Sequence, residues 1–213
     1  MWDDEKGTLV EDVRFLYQHV WVKFDIELGD SVLDVGSGHL PFPLATCLLD
    51  RFVESGEQRP DGVALKRDAR PLVAADVAFL PFRDKSFDFI YCSNVLEHVD
   101  DPVMACEELM RVGHRGYIEC PSPTDEVLLG SNKHLWFVFN DREVLSFLPR
   151  TIPFRSDVQG LFYGLRHIEQ CEKWYWTHMP YFRTMFLWRE RFQYRVWRVE
   201  VQTEKCFDLR FLA

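Results

Sequence analysis

The chain has 213 residues, 47% of them apolar, with a formal charge of −9 and a pI near 5.3. That is enough apolar material for one packed core and too much for a disordered chain. The acidic balance argues against a nucleic-acid partner held by broad phosphate neutralisation, and no apolar run reaches the ~18 residues that span a bilayer.

The N-terminal MWDDEKGT lacks the basic-then-apolar layout of a secretion signal. The six cysteines are scattered, with no Cys-x-x-Cys pair and no histidine at ligand spacing. Buried free thiols, a cytoplasmic location and no metal are therefore expected.

Thr8 to about Val22 predicts a first helix. Thr8 and Glu11 form a capping-box pattern, and Leu9, Val13, Leu16 and Val20 recur at helical spacing. Gly29-Asp30 breaks the chain, and SVLDV (31–35) follows as a buried strand. RPLVAAD (70–76), FDFIYCS (87–93) and RGYIECPSP (115–123) predict further strands. DDPVMACEELMRVG (100–113) predicts a helix with Asp101 as N-cap, Pro102 at its first position and Gly113 past its end. Residues 134–148 read as a hairpin, two apolar runs around a short polar loop. Strands alternating with helices imply an α/β fold, a doubly wound, mostly parallel sheet. Ligands of such sheets sit beyond the carboxyl ends of the strands, so each strand ending is a place to look.

The first ending is VGSGHLPFP. Gly36 and Gly38 allow close backbone approach to a ligand, with Ser37 between them, but Gly-x-Gly alone is a weak signal. A dinucleotide fingerprint needs a third glycine opening a helix, and Pro41 stands there instead. Asp34 can bind an ammonium or fix the loop's own amides. The acid at the second strand's end would grip a ribose diol. Either LATCLLD (44–50) is that strand and Asp50 the acid, or 44–53 is a helix, GVAL (62–65) the strand and Asp68 the acid. Periodicity favours the second placement and chain length the first. Asp76, with Val77 and the LPF turn after it, suits an adenine ring and its amino group. Ser93 and Asn94 end FDFIYCS, and Glu97 and His98 follow where a reacting group would lie.

Together, "VLDVGSG", "AADVAFLPFRDKSFDFIYCSNVLEHVDDP" and "ELMRVGHRGYIECPSP" resemble the class I S-adenosylmethionine-dependent methyltransferases. The likeness covers roughly residues 30–123. It is strongest to a bacterial branch in which the loop reads GSGxxPxP, the second strand follows at once, and an H-x-W hairpin comes later. Here these are GSGHLPFP, LATCLLD and HLWFVF. The resemblance selects Asp50 over Asp68 and implies that the helix after the loop is replaced by a proline-bearing bend. It implies a Rossmann-like sheet with an antiparallel last strand, and S-adenosyl-L-methionine as cofactor. By position it sets loop 36–38 against the methionine part, with Asp34 near its ammonium. It also sets Asp50 on the ribose, Asp76 and Val77 on the adenine, and Ser93 and Asn94 on the sulfonium side. One domain spans 1–213: a cap over 1–29, the cofactor core over 30–123, and a hairpin with an aromatic-rich extension over 124–213.

The implied reaction is in-line methyl transfer to a small molecule or a sugar-containing (glycan) acceptor. Positioning dominates such a step, and a base matters only when the acceptor starts protonated. His98 is the first candidate, with Glu97, His39 and His134 behind it. The segment 174–198 holds five arginines against one glutamate, net +4, leaving −13 elsewhere. Its simplest reading is aromatics packed on the sheet with arginine stems covering the edge. An acceptor cap ranks next, and a membrane-surface or nucleic-acid face last. The rival functions are a non-catalytic partner of the same fold and a nucleotide-dependent oxidoreductase or epimerase.

Overall fold

The computed structural model describes residues 2–3, 8–9, 13–54, 62–150 and 156–198. Its elements are β1 (Trp2–Asp3), β2 (Thr8–Leu9), α1 (Val13–Trp21), β3 (Val32–Val35), β4 (Cys47–Asp50), β5 (Leu72–Ala74) and β6 (Phe87–Ser93). There follow α2 (Pro102–Val112), β7 (Gly113–Pro121), α3 (Pro123–Leu129), β8 (Trp136–Asp141) and β9 (Val144–Pro149). The last are α4 (Ser156–Arg166), α5 (Glu169–Thr177), α6 (Met179–Phe182), β10 (Arg183–Arg189) and β11 (Gln193–Val196).

The main sheet has the order β10-β7-β6-β3-β4-β5. All neighbours are parallel except β10, which runs antiparallel along β7. The expected α/β architecture with an antiparallel last strand is therefore present. The chain starts in the middle, at β3, builds outward through β4 and β5, then returns to the other side of β3 with β6 and β7. The order reverses between β3 and β6, and the crevice beyond their carboxyl ends is the ligand position of an open α/β sheet. A second sheet, β11-β9-β8, contains the expected hairpin, with β11 parallel to β9.

Helix α2 forms as its punctuation predicts. The Asp101 carboxylate accepts from the amides of Val103 (3.0 Å) and Met104 (3.1 Å), and Pro102 fills the first position, where no donor is needed. Its buried stripe of Ala105, Cys106, Leu109, Met110 and Val112 packs on Leu33, Ile90 and Ile118 of the sheet and on Val138, Leu145 and Phe147 of the hairpin. Each large apolar side chain so buried contributes about 1.5–3 kcal/mol.

On the opposite sheet face, the connection from β3 to β4 supplies no helix. Residues 36–46 contain none; Phe42, between two prolines, fills the space and stacks on Tyr91 at 4.0 Å with the rings 4° from parallel. Phe24 meets Phe42, Phe89 and Tyr117 edge-on.

Three sequence expectations are corrected. The first helix begins at Val13, not Thr8, which lies in a two-residue strand paired with Trp2–Asp3; Glu11 is outside the described residues. Val20, expected on the buried face, is exposed, and Tyr17, Gln18 and Val22 are buried instead. A helix over 44–53 is excluded because Cys47–Asp50 is a strand between β3 and β5, and 63–65 belong to no regular element. Gly56, that helix's expected end, is outside the described residues.

Part of the aromatic-rich segment packs into the fold. Tyr175, Phe182, Phe186 and Trp188 are buried, while Arg189 pairs with Asp25, Arg191 with Glu107 at 3.0 Å and Arg195 with Asp141 at 3.6 Å. Among the described residues, no helix is long and apolar enough to cross a membrane.

Candidate functional site

Val35 is in register with Cys92, so the turn beginning at Gly36 sits beside Ser93 at the point of strand-order reversal. Gly36 and Gly38 have φ of +74° and +54°, which glycine adopts without strain. A Cβ on Gly36 would lie 2.3 Å from Cγ2 of Val95, so the loop touches the segment that follows β6. Asn94 also has positive φ (+56°), uncommon for a residue with a side chain and frequent at functional turns.

The loop is held by its own neighbours. The amides of Gly36 and Ser37 donate to the Leu49 carbonyl (2.7 and 3.0 Å), and that of Gly38 donates to Oδ2 of Asp50 (2.9 Å). Asp34, buried under the bend, accepts from the Phe42 amide at 2.7 Å. Arg70 donates to the carbonyls of Phe42 (2.7 Å) and Ala45 (3.3 Å), closing the bend from the far side. The side-chain oxygen of Ser37 is buried and has no hydrogen-bond partner.

Asp50 stands at the end of β4. Its Oδ1 accepts from the Phe52 amide (2.7 Å), and its neighbour across the sheet is Ala74. Asp76 follows β5, where Oδ1 accepts from the Ala78 amide (2.9 Å) and Oδ2 pairs with Arg51 (2.9 Å). Val77 is buried behind it. Asp68, the competing ribose acid, is exposed and clamped by Arg70 (2.5 Å), which holds its carboxyl at about 2. Of the two, only Asp50 touches the loop.

Behind Ser93 and Asn94 lies a polar network that the sequence reading does not single out. Glu119, fully buried on β7, accepts from Tyr17 (2.6 Å), Gln18 (2.9 Å) and Tyr117 (2.5 Å). Ser93 reaches it at 3.4 Å, and Tyr91 donates to Gln18 at 3.0 Å. Burial first, then the Glu119 charge, hold the Tyr17 and Tyr117 hydroxyls well above the usual tyrosine range, so they remain donors. Arg183 donates to Oδ1 of Asn94 at 3.1 Å and sits 3.7 Å from Asp125. The one available signal was an acid inside an apolar strand run, YIEC.

Beyond Asn94, a 3-10 turn (Leu96–His98) carries Glu97 and His98. The structure brings His134 to them, with the His98 and His134 rings edge-to-face at 4.6 Å. His39, in the turn after Gly38, is not part of this group.

Residues 33–118 match the family described as "Methyltransferase domain". The match covers the strands from β3 to β7, and the sheet order is that of a Rossmann-like methyltransferase fold. An uncharacterized methyltransferase of Mycobacterium avium (strain 104) is 32% identical over 119 residues, covering 52% of this chain and 46% of that protein. The 27-O-demethylrifamycin SV methyltransferase of Amycolatopsis mediterranei (strain S699) is 27% identical over 139 residues, covering 57% of this chain and 51% of that one. The chain thus spans about half the length of the curated relatives it matches. Among solved structures, the YcgJ protein of Bacillus subtilis has a TM-score of 0.38 at 21% identity, over 52% of this chain and 50% of that one. The putative methyltransferase solved with the Haloferax volcanii Trm112 activator has a TM-score of 0.47 at 14% identity, over 82% of this chain and 88% of that one.

Proposed function

We propose that the protein transfers a methyl group from S-adenosyl-L-methionine to a small molecule or sugar-containing acceptor. One observation carries this reading: the Gly36 turn meets Ser93–Asn94 where strand order reverses, with Asp50 and Asp76 on the adjoining strand ends. The residues fit the cofactor. The buried, unpartnered hydroxyl of Ser37 has a hydrogen bond to offer, and the acids at the two strand ends would accept from ribose and adenine donors.

When bound, the cofactor supplies a methyl group on a positively charged sulfur. Asp50 would share its oxygens between the loop amides and the ribose hydroxyls, so ribose binding and loop geometry become one event. Asp76 would accept from the adenine amino group while Val77 walls the ring. Asp34 holds the bend, and its negative charge favours an ammonium group nearby. Ser93 and Asn94, held from behind by Glu119 and Arg183, form the floor on the sulfonium side. Alignment in a water-poor crevice is worth ~7–11 kcal/mol in favourable cases. Glu97, His98 and His134 are the polar group beside that end of the sheet.

The test is incubation with methyl-labelled cofactor and a panel of hydroxylated small molecules and glycosides. Label should pass to one acceptor class, and Asp50→Ala should abolish the transfer. Cofactor binding without transfer to any acceptor would favour the non-catalytic partner.

A further inference from the structure

The buried carboxylate of Glu97 has only the Cys120 thiol as a hydrogen-bond donor. The residue is 1% exposed, and neither oxygen meets an N–H or O–H donor within bonding distance. Nε2 of His98 is 4.0 Å from Oε1, too far for a hydrogen bond. The Cys120 thiol, whose pKa is raised by burial and then by Glu97, faces that carboxylate but is a weak donor that leaves it poorly satisfied. A buried carboxylate left this way is costly whether ionised or protonated, because the protonated form also needs an acceptor.

Two imidazoles converge on it. One ligand atom from each of Glu97, His98 and His134 lies within 4.8 Å of the other two. The loop before β8 is tied to the Glu97 turn by the Leu135 amide, which donates to the Glu97 carbonyl at 2.7 Å. Nδ1 of His98 faces the Lys133 carbonyl at 3.2 Å, and Nδ1 of His134 faces the buried carboxylate of Glu126. Both partners are acceptors, so each Nδ1 donates, which leaves each Nε2 as the atom available to a metal ion. Glu126 is itself backed by Arg150 at 3.6 Å. An oxygen acceptor behind each imidazole is the arrangement that orients metal-bound histidines.

We propose that Glu97, His98 and His134 bind one divalent transition-metal cation at the mouth of the crevice. Two imidazoles and one carboxylate suit zinc or a non-haem first-row metal and leave coordination positions open. Tetrahedral ligands about 2.0–2.1 Å from an ion are roughly 3.3 Å apart, so these side chains draw in by about 1 Å. His98, with a side chain 33% exposed, gives the ion its path to solvent. The position deepens the proposed function, on which this part rests: the open positions suit an acceptor oxygen, so the substrate class is a hydroxyl compound or vicinal diol. Transfer then forms one O–C bond and breaks the C–S bond, with its electron pair kept on sulfur. The hydroxyl proton passes to solvent.

The test uses the full chain stripped with a chelator and titrated with Co2+, then with Zn2+ as competitor. One equivalent of Co2+ with weak visible absorption, displaced by Zn2+, is expected. His98→Ala, the more exposed ligand, and Glu97→Gln should each weaken binding by about tenfold or more while the melting temperature shows a folded protein. Absence of stoichiometric Co2+ binding, or binding unchanged in both variants, overturns the proposal. An intense near-ultraviolet thiolate–cobalt band that survives in both variants also overturns it, by locating the metal on cysteine. Melting shifts with S-adenosylmethionine, read on the same metal-free samples, keep the two readings apart. A retained shift without Co2+ binding rejects the metal site alone, and Co2+ binding without a shift rejects the cofactor site alone.

Discussion

The Gly38 amide donates to the Asp50 carboxylate at 2.9 Å, and this bond joins the turn after β3 to the end of β4. With the Phe52 amide on the other oxygen at 2.7 Å, the acid orders the loop it serves. Hydrogen bonds to a charged group contribute about 1.5–3 kcal/mol each. Asp50→Ala should therefore lose cofactor binding and lower the melting temperature by several degrees, both readable in one scanning experiment. Asp68→Ala, at an exposed pair with Arg70, should leave cofactor affinity unchanged. Equal loss in both variants would remove Asp50 from its assigned role.

Gly36→Ala meets two separate obstacles. Left-handed backbone costs a side-chain-bearing residue roughly 1–2 kcal/mol, and overpacking against Val95 adds about 1–3 kcal/mol. Adding Val95→Ala should recover the packing part and not the backbone part. A double-mutant cycle by urea unfolding measures the division. Full recovery would show that the φ of Gly36 carries no cost.

Glu119 joins α1 to the sheet through Tyr17, Gln18 and Tyr117. Glu119→Ala strands these buried donors and should destabilise by about 3–5 kcal/mol, whereas Glu119→Gln keeps one acceptor and should lose less. Urea midpoints of the two variants give the order. An alanine variant as stable as the parent would mean that α1 is held by its apolar contacts alone.

Acid should weaken the fold through two carboxylates. Arg111, donating from Nε (2.6 Å) and Nη2 (2.8 Å), holds the Glu108 carboxyl below its ordinary value, and the Leu80 amide adds a third bond (2.7 Å). The Ser31 amide and hydroxyl, at 2.9 and 2.7 Å, do the same for Asp88. A folded pKa below the unfolded one gives stability that is present above the unfolded value and lost as pH falls through the folded value. The loss should begin near pH 4, where free carboxylates titrate at about 3.9–4.3, and continue below it. Melting temperature against pH should fall less steeply there in Glu108→Gln with Asp88→Asn. An unchanged slope would place the acid sensitivity elsewhere.

Much of the fold was legible because its signals are local. Asp101, Pro102 and Gly113 bound α2 by backbone chemistry that needs no tertiary partner, and FDFIYCS matches β6 at both ends. What the sequence did not show is how the LPF turn and the end of α2 are joined: Arg111 donates to the carbonyls of Leu80 (2.9 Å) and Phe82 (2.8 Å). The placement of β4 was open to periodicity, because LATCLLD is short and apolar enough to pass for a helix face. Long-range pairing with β3 and β5 decided it. Glu119 went unread because its donors come from α1 and its own strand, over a hundred positions apart in part. The meeting of His98 with His134 was equally hidden, since it depends on the hairpin folding back over the turn after β6.

The central claim, a cofactor site between β3 and β6, is tested most directly by thermal melts with S-adenosylmethionine and its demethylated product, against NAD and NADP. A ligand at about 100 times its dissociation constant stabilises by ~2.7 kcal/mol, which for a chain of this size is roughly 5–11 °C. A shift of that order with both S-adenosyl compounds and none with the nicotinamides is the expected result. No shift with either S-adenosyl compound at millimolar concentration would contradict it.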